Sequence, residues 1–492
     1  MSQSLPSLVE RFSELPALVV GESILDVYLR GRTGRLSREA PVPVVDLDER
    51  LDAPGGAANA AVNLASLGAG VELLSVVGDD AAGRRLEELL LAAGVGTRHL
   101  VVQPGRRTLV KRRLVSDGQM LARIDDGDAG PIGERAQRDL AAGLSWRWSA
   151  SRDAVLVSDY GHGLVVPPLL ETLRSLQAAA PRVLVVDAKR PAGYREVGVT
   201  AVKPNYEETV ELLGIGRLAE TSRRVEQLER QGERLRSLLG ADVVAVTLDA
   251  EGALLFEPGE GPPYRTYARA RPSLLTTGAG DTFSSVLTLA LAAGADVPAA
   301  GELASAAATL VVSREGTAVC GADALRQAIM GTRSQLRGVD ELVTEVRVHR
   351  AHGRRIVFTN GCFDILHRGH VAYLNRAKAL GDVLIVGVNS DDSVRRLKGP
   401  DRPLNTLEDR MEVLGALSCI DHLVAFDDDT PAELLRAVRP EVFVKGGDYR
   451  PDTLPEAPLV EQLGGEVVLL PYLDDHSTSG VIQRIRARER MR

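Results

Sequence analysis

Cysteine is scarce in this chain, long apolar runs are missing and positive charge is not in excess, and each shortage removes a class of function. The three cysteines, Cys320, Cys362 and Cys419, show no C-x-x-C spacing. They support neither a disulfide framework nor a cysteine-built zinc cluster, and they fit a reducing compartment. No stretch reaches the roughly 18 apolar residues of a membrane span. The opening MSQSLPSLVERFSELPALVV mixes Glu and Arg before a short apolar run, unlike a signal peptide. A cytoplasmic protein without membrane contact is therefore expected. The formal net charge of −8 offers no overall basic surface, so nucleic acid is not an expected partner.

What is present is ordinary globular composition over 492 residues, 44% hydrophobic and 26% charged, too long for one core and suggesting two or three domains. Short apolar runs such as AVLVSD, RVLVVDA and VVAVTLD alternate with longer amphipathic stretches, the rhythm of an α/β fold. Runs without alternation imply parallel strands covered on both faces. After residue 276 the strand signals stop, and SVLTLALAAGADVPAAGELASAAATLVVSREG reads as two packed helices. A polar, charged stretch follows, and the βα rhythm restarts at IVFTNGCFDILH. This predicts a first domain over 1–330, a linker over 331–350 and a second domain over 351–492.

The first chemical signal is TTGAGDTF at 276–283, where a glycine-rich turn opens into an apolar helix. Free backbone N–H groups and the positive helix end converge there, so an anion belongs at Gly278, Ala279 and Gly280. Asp281 follows in the first turn, placed to accept a proton from an attacking hydroxyl. The stretch has neither the G-x-x-x-x-G-K-[ST] pattern nor the third glycine of a dinucleotide fingerprint. A glycine-capped helix with a stabilising Asp is the plain alternative.

Three more segments extend that signal: GESILDVY at 21–28, PGGAANAAVNLASLGA at 54–69 and KPNYEE at 203–208. Together the four resemble the ribokinase-like sugar kinases, in motif and in order. The resemblance implies an α/β sandwich with a β lid, ATP as phosphoryl donor and Mg²⁺ as the charge-neutralising ion. It assigns Asp281 as catalytic base and Asp26, Gly55, Gly56 and Asn59 as sugar contacts. Asn205 and Glu208 fall near the phosphates, Glu208 with an indirect link to the metal. Relatives often pair through the lid, so a homodimer is expected.

A narrower resemblance lies in GRLSREAPVPVV, TLVKRRLVSDGQMLARID and SDYGHG. These are similar to the kinase half of the bifunctional heptose 7-phosphate kinase and heptose 1-phosphate adenylyltransferase family. Lys111, Arg112 and Arg123 would then meet a phosphorylated sugar, with a solvated charged ribbon as the alternative. Two positions depart from that pattern. His162 stands where the family commonly has Lys, a cation only partly charged at neutral pH. Leu275 replaces an Asp tied to monovalent-cation binding, which argues against potassium activation.

The second signal, GCFDILHRGH at 361–370, runs from a strand through a glycine turn into a helix. His367 and His370, three apart, face the same way at the helix start and can donate to phosphate oxygens. A metal pair is the rival reading, but no third ligand stands at zinc spacing. With GVNSDDSVRRLKG, RPLNTLEDRMEVLGAL, VKGGDY and HSTSGVIQRI downstream, the segment resembles the cytidylyltransferase-like nucleotidyltransferases, a Rossmann-like fold. That resemblance implies that the two histidines stabilise the α-phosphoryl transition state and that Lys378 and Lys398 neutralise phosphates. Ser477 and Thr478 would bind the triphosphate, with Arg410, Lys445 and Asp448 as further candidates. The domain order matches the heptose enzyme family, whose substrates are sugar phosphates and ATP. A fusion for another phosphorylated acceptor, or one with a silent sensing domain, remains the alternative.

Overall fold

The computed structural model describes residues 5–116, 119–151, 153–219, 222–259, 261–268, 277–312, 317–330, 338–446 and 454–470. The chain divides into two compact units, Met1–Gln327 and Ala328–Arg492.

The first unit is built on a nine-stranded sheet. From one edge to the other its strands are Tyr264–Thr266, Ala253–Phe256, Ala241–Thr247, Val199–Val202, Leu184–Ala188, Ala154–Asp159, Pro16–Gly21, Gly70–Gly78 and Gly96–Gln103. All neighbours pair in parallel except the two contacts made by Ala253–Phe256. The unalternating apolar runs are the buried central strands: Leu18, Val19, Leu156, Val185 and Val186 are all fully buried. Chain order runs outward from Pro16–Gly21 in one direction and then reverses, the next strand added being Ala154–Asp159 on its other side. Such a reversal leaves a crevice beyond the carboxyl ends of the strands, the usual ligand position in a doubly wound sheet. Helices Ala279–Ala292 and Val297–Val312 pack side by side, as their Ala- and Leu-rich sequence suggests.

A separate four-stranded sheet, ordered Pro43–Gly56, Ser23–Leu36, Leu109–Ser116 and Gln119–Asp126, forms the lid. Its first strand inward, Ser23–Leu36, follows the large sheet's strand Pro16–Gly21 after a single residue, Glu22. The chain thus passes from sheet to lid at the crevice.

The second unit carries a five-stranded, wholly parallel sheet. Its order is His422–Phe426, Val383–Asn389, Ile356–Gly361, Val442–Gly446 and Glu466–Leu470. Here too the direction of growth reverses beside the first strand, between Ile356–Gly361 and Val442–Gly446. Within the stretch read as linker lies a helix, Val339–Ala351. Leu342 and Val346, four apart on one face, are buried in this unit's core. Its charged remainder faces water, which is why the stretch looks like linker in sequence.

Candidate active sites

In the first unit a polar cavity of about 150 Å³ lies beyond the strand ends at the reversal. It is lined by Asp159, Tyr160, Asp187, Ala188, Lys189, Lys203, Asn205, Glu208, Gly278, Gly280 and Asp281. Gly278 caps helix Ala279–Ala292 with φ 90°, a conformation that glycine adopts freely. A Cβ there would also stand 2.7 Å from the Asn59 side-chain nitrogen. Thus Gly278, Ala279, Gly280 and Asp281 open the helix onto the cavity, as the motif suggests.

The Asp281 carboxylate is buried and accepts two hydrogen bonds. Asn59 Nδ2 donates to Oδ2 at 2.7 Å and Tyr160 Oη to Oδ1 at 2.8 Å. Burial, reinforced by the negative charge of Asp187, lifts its pKa to about 6 against the pull of these bonds. That suits a base working near neutral pH. Lys203, also buried, is held 3.1 Å from Asp187, whose Oδ2 accepts from Ser284 at 2.7 Å. Burial disfavours the charged ammonium, but Asp187 more than offsets it, so Lys203 stays a cation facing the cavity.

Asn205 and Glu208 line the same cavity and also cap helix Tyr206–Leu213. Asn205 Oδ1 accepts from the Glu208 N–H, and Glu208 Oε2 accepts from the Asn205 N–H. The other Glu208 oxygen accepts from Lys189 at 2.8 Å. Among the described residues no three His, Cys, Asp or Glu side chains are grouped to hold a metal alone. The carboxylates of Asp159, Asp187 and Glu208 nevertheless supply hard oxygen donors around the cavity. That suits Mg²⁺, which takes one or two protein carboxylates and fills its shell with water and phosphate.

The lid supplies the other wall. Asp26 pairs in register with Lys111, and its Oδ1 accepts from Arg113 at 2.6 Å with both side chains nearly buried. A Cβ on Gly55 would lie 2.5 Å from Asp26 Oδ2, and Gly56, at φ 60°, caps the helix carrying Asn59. Asn59, expected as a sugar contact, is committed to Asp281. The expectation for Arg112 needs correction. Successive side chains of a strand alternate in direction, so Lys111 and Arg113 share the Asp26 face while Arg112 points away and pairs with Asp126 at 3.4 Å. Arg123 is opposite Arg113 and binds Asp125 at 2.7 Å. His162 is pushed below its usual range by burial and by the Lys111 charge, which disfavours the cation there.

Glu22, Tyr160, Asp187, Lys203 and Arg113 join the site from outside the residues that the motifs single out. Three of them were signalled: polar residues immediately ending or following apolar strands, as in VLVSDY, VLVVDAK and AVKPN, mark the open end of a buried sheet.

In the second unit His367 caps helix Arg368–Lys378 and His370 lies in its first turn. The two rings stack with centroids 3.9 Å apart. Phe363 meets His370 edge-on at 5.5 Å and holds φ 45°, a left-handed conformation rare for a bulky residue. Burial, then the proximity of His367, drives the His370 pKa down to about 4, so it is neutral at pH 7. The turn is clamped from below. Asp364 accepts from the Leu404 and Asn405 N–H groups and from Arg402. Buried Arg410 donates to the Cys362 carbonyl and, at 2.8 Å, to Asp391.

Lys445, next to last in its strand at the reversal, donates to Asn360 Oδ1 at 2.6 Å. Exposed Lys398 is close enough for its charge to act on Cys362, whose thiol is raised mainly by burial. Both cations thus flank the histidine turn. Lys378 does not. It lies eight residues beyond His370, about 12 Å along the helix. Its Nζ binds Asp421 and the Asp382 carbonyl at the start of strand Val383–Asn389, the edge opposite the site. It ties helix to strand, since the same Asp421 oxygen accepts from the Leu384 N–H. Leu275, Asp448, Ser477 and Thr478 lie outside the described residues.

Comparison with known proteins matches these two units to two families. Residues 17–324 match the pfkB family carbohydrate kinases and residues 358–484 the cytidylyltransferase-like family. Bifunctional protein HldE of Alcanivorax borkumensis is 41% identical over 98% of this chain and 99% of its own length. The protein of the same name from Pseudomonas aeruginosa strain LESB58 is 43% identical over 97% and 99%. Among solved structures, Escherichia coli phosphofructokinase-2 with substrates and products superposes with a TM-score of 0.53 at 21% identity. It covers 64% of this chain and 98% of its own, a likeness of fold. The chain belongs to the family of bifunctional HldE proteins, a pfkB-type carbohydrate kinase joined to a cytidylyltransferase-like nucleotidyltransferase.

Proposed function

We propose that the first unit phosphorylates C1 of D-glycero-D-manno-heptose 7-phosphate from ATP, and that the second transfers AMP from ATP to heptose 1-phosphate, giving ADP-heptose and pyrophosphate. A separate phosphatase would remove the C7 phosphate between the steps. The observation that carries the reading is a buried carboxylate and a stacked histidine pair, each at the reversal of its own sheet, in a chain aligned end to end with bifunctional relatives.

In the first step Asp281 takes the proton of the sugar hydroxyl as its oxygen bonds to the γ-phosphorus and the bond to ADP breaks. Backbone N–H groups at the start of helix Ala279–Ala292, with Lys203, face the transferred charge. Mg²⁺ bound among Asp159, Asp187 and Glu208 would neutralise phosphate charge. Asp26 with Gly55 would seat the sugar hydroxyls, and Lys111 and Arg123 the 7-phosphate. In the second step a phosphate oxygen of the sugar attacks the α-phosphorus and pyrophosphate leaves. His367 and His370 donate to the phosphate, with Lys398, Lys445, Ser477 and Thr478 about it. No enzyme nucleophile is required, because positioning and charge stabilisation suffice.

The same reading places the enzyme in the ATP-rich cytoplasm. It pairs two copies through the lid, where Leu36, Leu47 and Ile124 are each more than half exposed. The test is mass spectrometry of the full chain with Mg²⁺, ATP and heptose 7-phosphate, with and without a sugar-bisphosphate phosphatase. Bisphosphate alone, converting to ADP-heptose when phosphatase is added, is expected. Failure to form bisphosphate while supplied heptose 1-phosphate is still adenylylated would remove the kinase substrate from this reading.

A further inference from the structure

Tyr160 lies between the lid and the carboxylate assigned as base, and it is held from three sides. Its backbone N–H donates to Glu22 Oε2 at 2.8 Å. The other Glu22 oxygen accepts from the His162 and Leu164 N–H groups at 3.0 and 3.1 Å. One nearly buried carboxylate, at the point where sheet passes into lid, thus shapes the whole turn that carries Tyr160. The ring lies beneath the Lys111 ammonium of the lid strand, 5.3 Å from its centroid. The hydroxyl reaches Asp281 Oδ1 at 2.8 Å.

We infer that Tyr160 is a positioning residue for phosphoryl transfer: its hydroxyl fixes the orientation and protonation of the Asp281 carboxyl and links that carboxyl to the lid strand bearing Lys111. The inference rests on the reading of Asp281 as base. At 2.8 Å from a carboxylate oxygen that can only accept, the phenol O–H is the donor of the pair. A donor to the carboxylate favours its charged form, and Asn59 does the same from the other oxygen. Each leaves lone pairs on Asp281 to receive the sugar proton.

The test measures initial rates of ADP release by the full chain between pH 5.5 and 9, with Mg²⁺, ATP and heptose 7-phosphate. Tyr160→Phe removes the hydroxyl and keeps the ring under Lys111. Its acid limb should move up by about one pH unit, a loss of roughly fivefold at pH 6 that approaches tenfold at lower pH and shrinks above pH 8. KM for ATP should stay within about twofold, since the hydroxyl faces the base and not the nucleotide. Substitution of Tyr160 by 3-fluorotyrosine, the same shape with a stronger donor, should move the limb the other way, and it guards against a folding defect in the first variant. A limb that stays put in both, or a loss uniform across pH, overturns the inference. Asp281→Asn separates the two claims. An acid limb surviving in that variant removes the base itself, whereas a dead Asp281→Asn beside an unmoved Tyr160→Phe limb removes only the role of Tyr160.

Discussion

At the mouth of the first sheet a carboxylate is buried so that it holds a proton more tightly than a free aspartate. At the mouth of the second, the His370 imidazole is packed so that it holds a proton less tightly than free histidine. Both shifts arise from the same cause, loss of hydration, acting on groups of opposite charge type. The location is also shared, beside the first strand of each sheet where the order of strands reverses. Equivalent crevices have therefore been furnished for different work. The kinase crevice needs an acceptor for a hydroxyl proton. The nucleotidyltransferase crevice attacks with a phosphate that carries its own charge, so it needs neutral donors rather than a base.

The sharpest break between the two comes from substitutions that keep shape. Asp281→Asn should lower phosphorylation by about 10³-fold or more, because an amide cannot accept the proton, and leave adenylyl transfer unchanged. His370→Gln retains a neutral N–H donor. It should keep a larger fraction of adenylyl transfer than His370→Ala, which loses about 10²–10³-fold as a deleted transition-state donor does. Product analysis of each half-reaction checks this. Equal loss in Gln and Ala variants would mean that His370 must carry a proton, not merely share one.

Stability should show the same opposition. The Asp281 pKa is raised in the folded protein, so folded chains hold its proton more tightly and stability falls as pH rises from about 4 to about 6. For His370 the folded value is depressed, so stability falls as pH drops from about 6.5 to about 4. Each penalty is at most about 3 kcal/mol, two or so pKa units at 1.4 kcal/mol apiece. Calorimetry should find Asp281→Asn raising the first transition most above pH 6, and His370→Gln raising the second most below pH 5. A first transition lowered by Asp281→Asn at pH 7 would show that the hydrogen bonds from Asn59 and Tyr160 outweigh burial.

How far these sites could be read in the sequence follows from the range of the interactions involved. Gly278 to Asp281 and His367 with His370 were legible because helix geometry alone brings residues one turn apart to one face. The apolar strands were legible because a sheet covered on both sides leaves no alternation. Partners set by tertiary packing were not. Tyr160 meets Asp281 across 121 positions, and Arg113 meets Asp26 across 87. Lys378 failed for a different reason. It lies on the correct helix, and only the direction of that helix reveals that it sits at the end away from the site. Lys378→Met therefore sharpens the comparison. It should destabilise the second unit by about 1–3 kcal/mol, the cost of stranding a polar partner, and leave KM for ATP nearly unchanged. A rise in that KM without loss of stability would restore Lys378 to the phosphates.

The smallest expected effect concerns two neighbours in one strand. Arg113 is nearly buried with Asp26, and Arg112, one residue earlier, is over a third exposed with Asp126. Removing Arg113 leaves the Asp26 carboxylate without its partner against the glycine turn, so Arg113→Ala should raise KM for the sugar phosphate about tenfold or more. Removing Arg112 breaks an ion pair that water already screens, a contribution of about 0–1 kcal/mol to folding and none to the crevice. Arg112→Ala should therefore leave KM within about twofold. Strand alternation puts the two positions on opposite faces, so equal effects would mean that the lid presents its other face to the substrate.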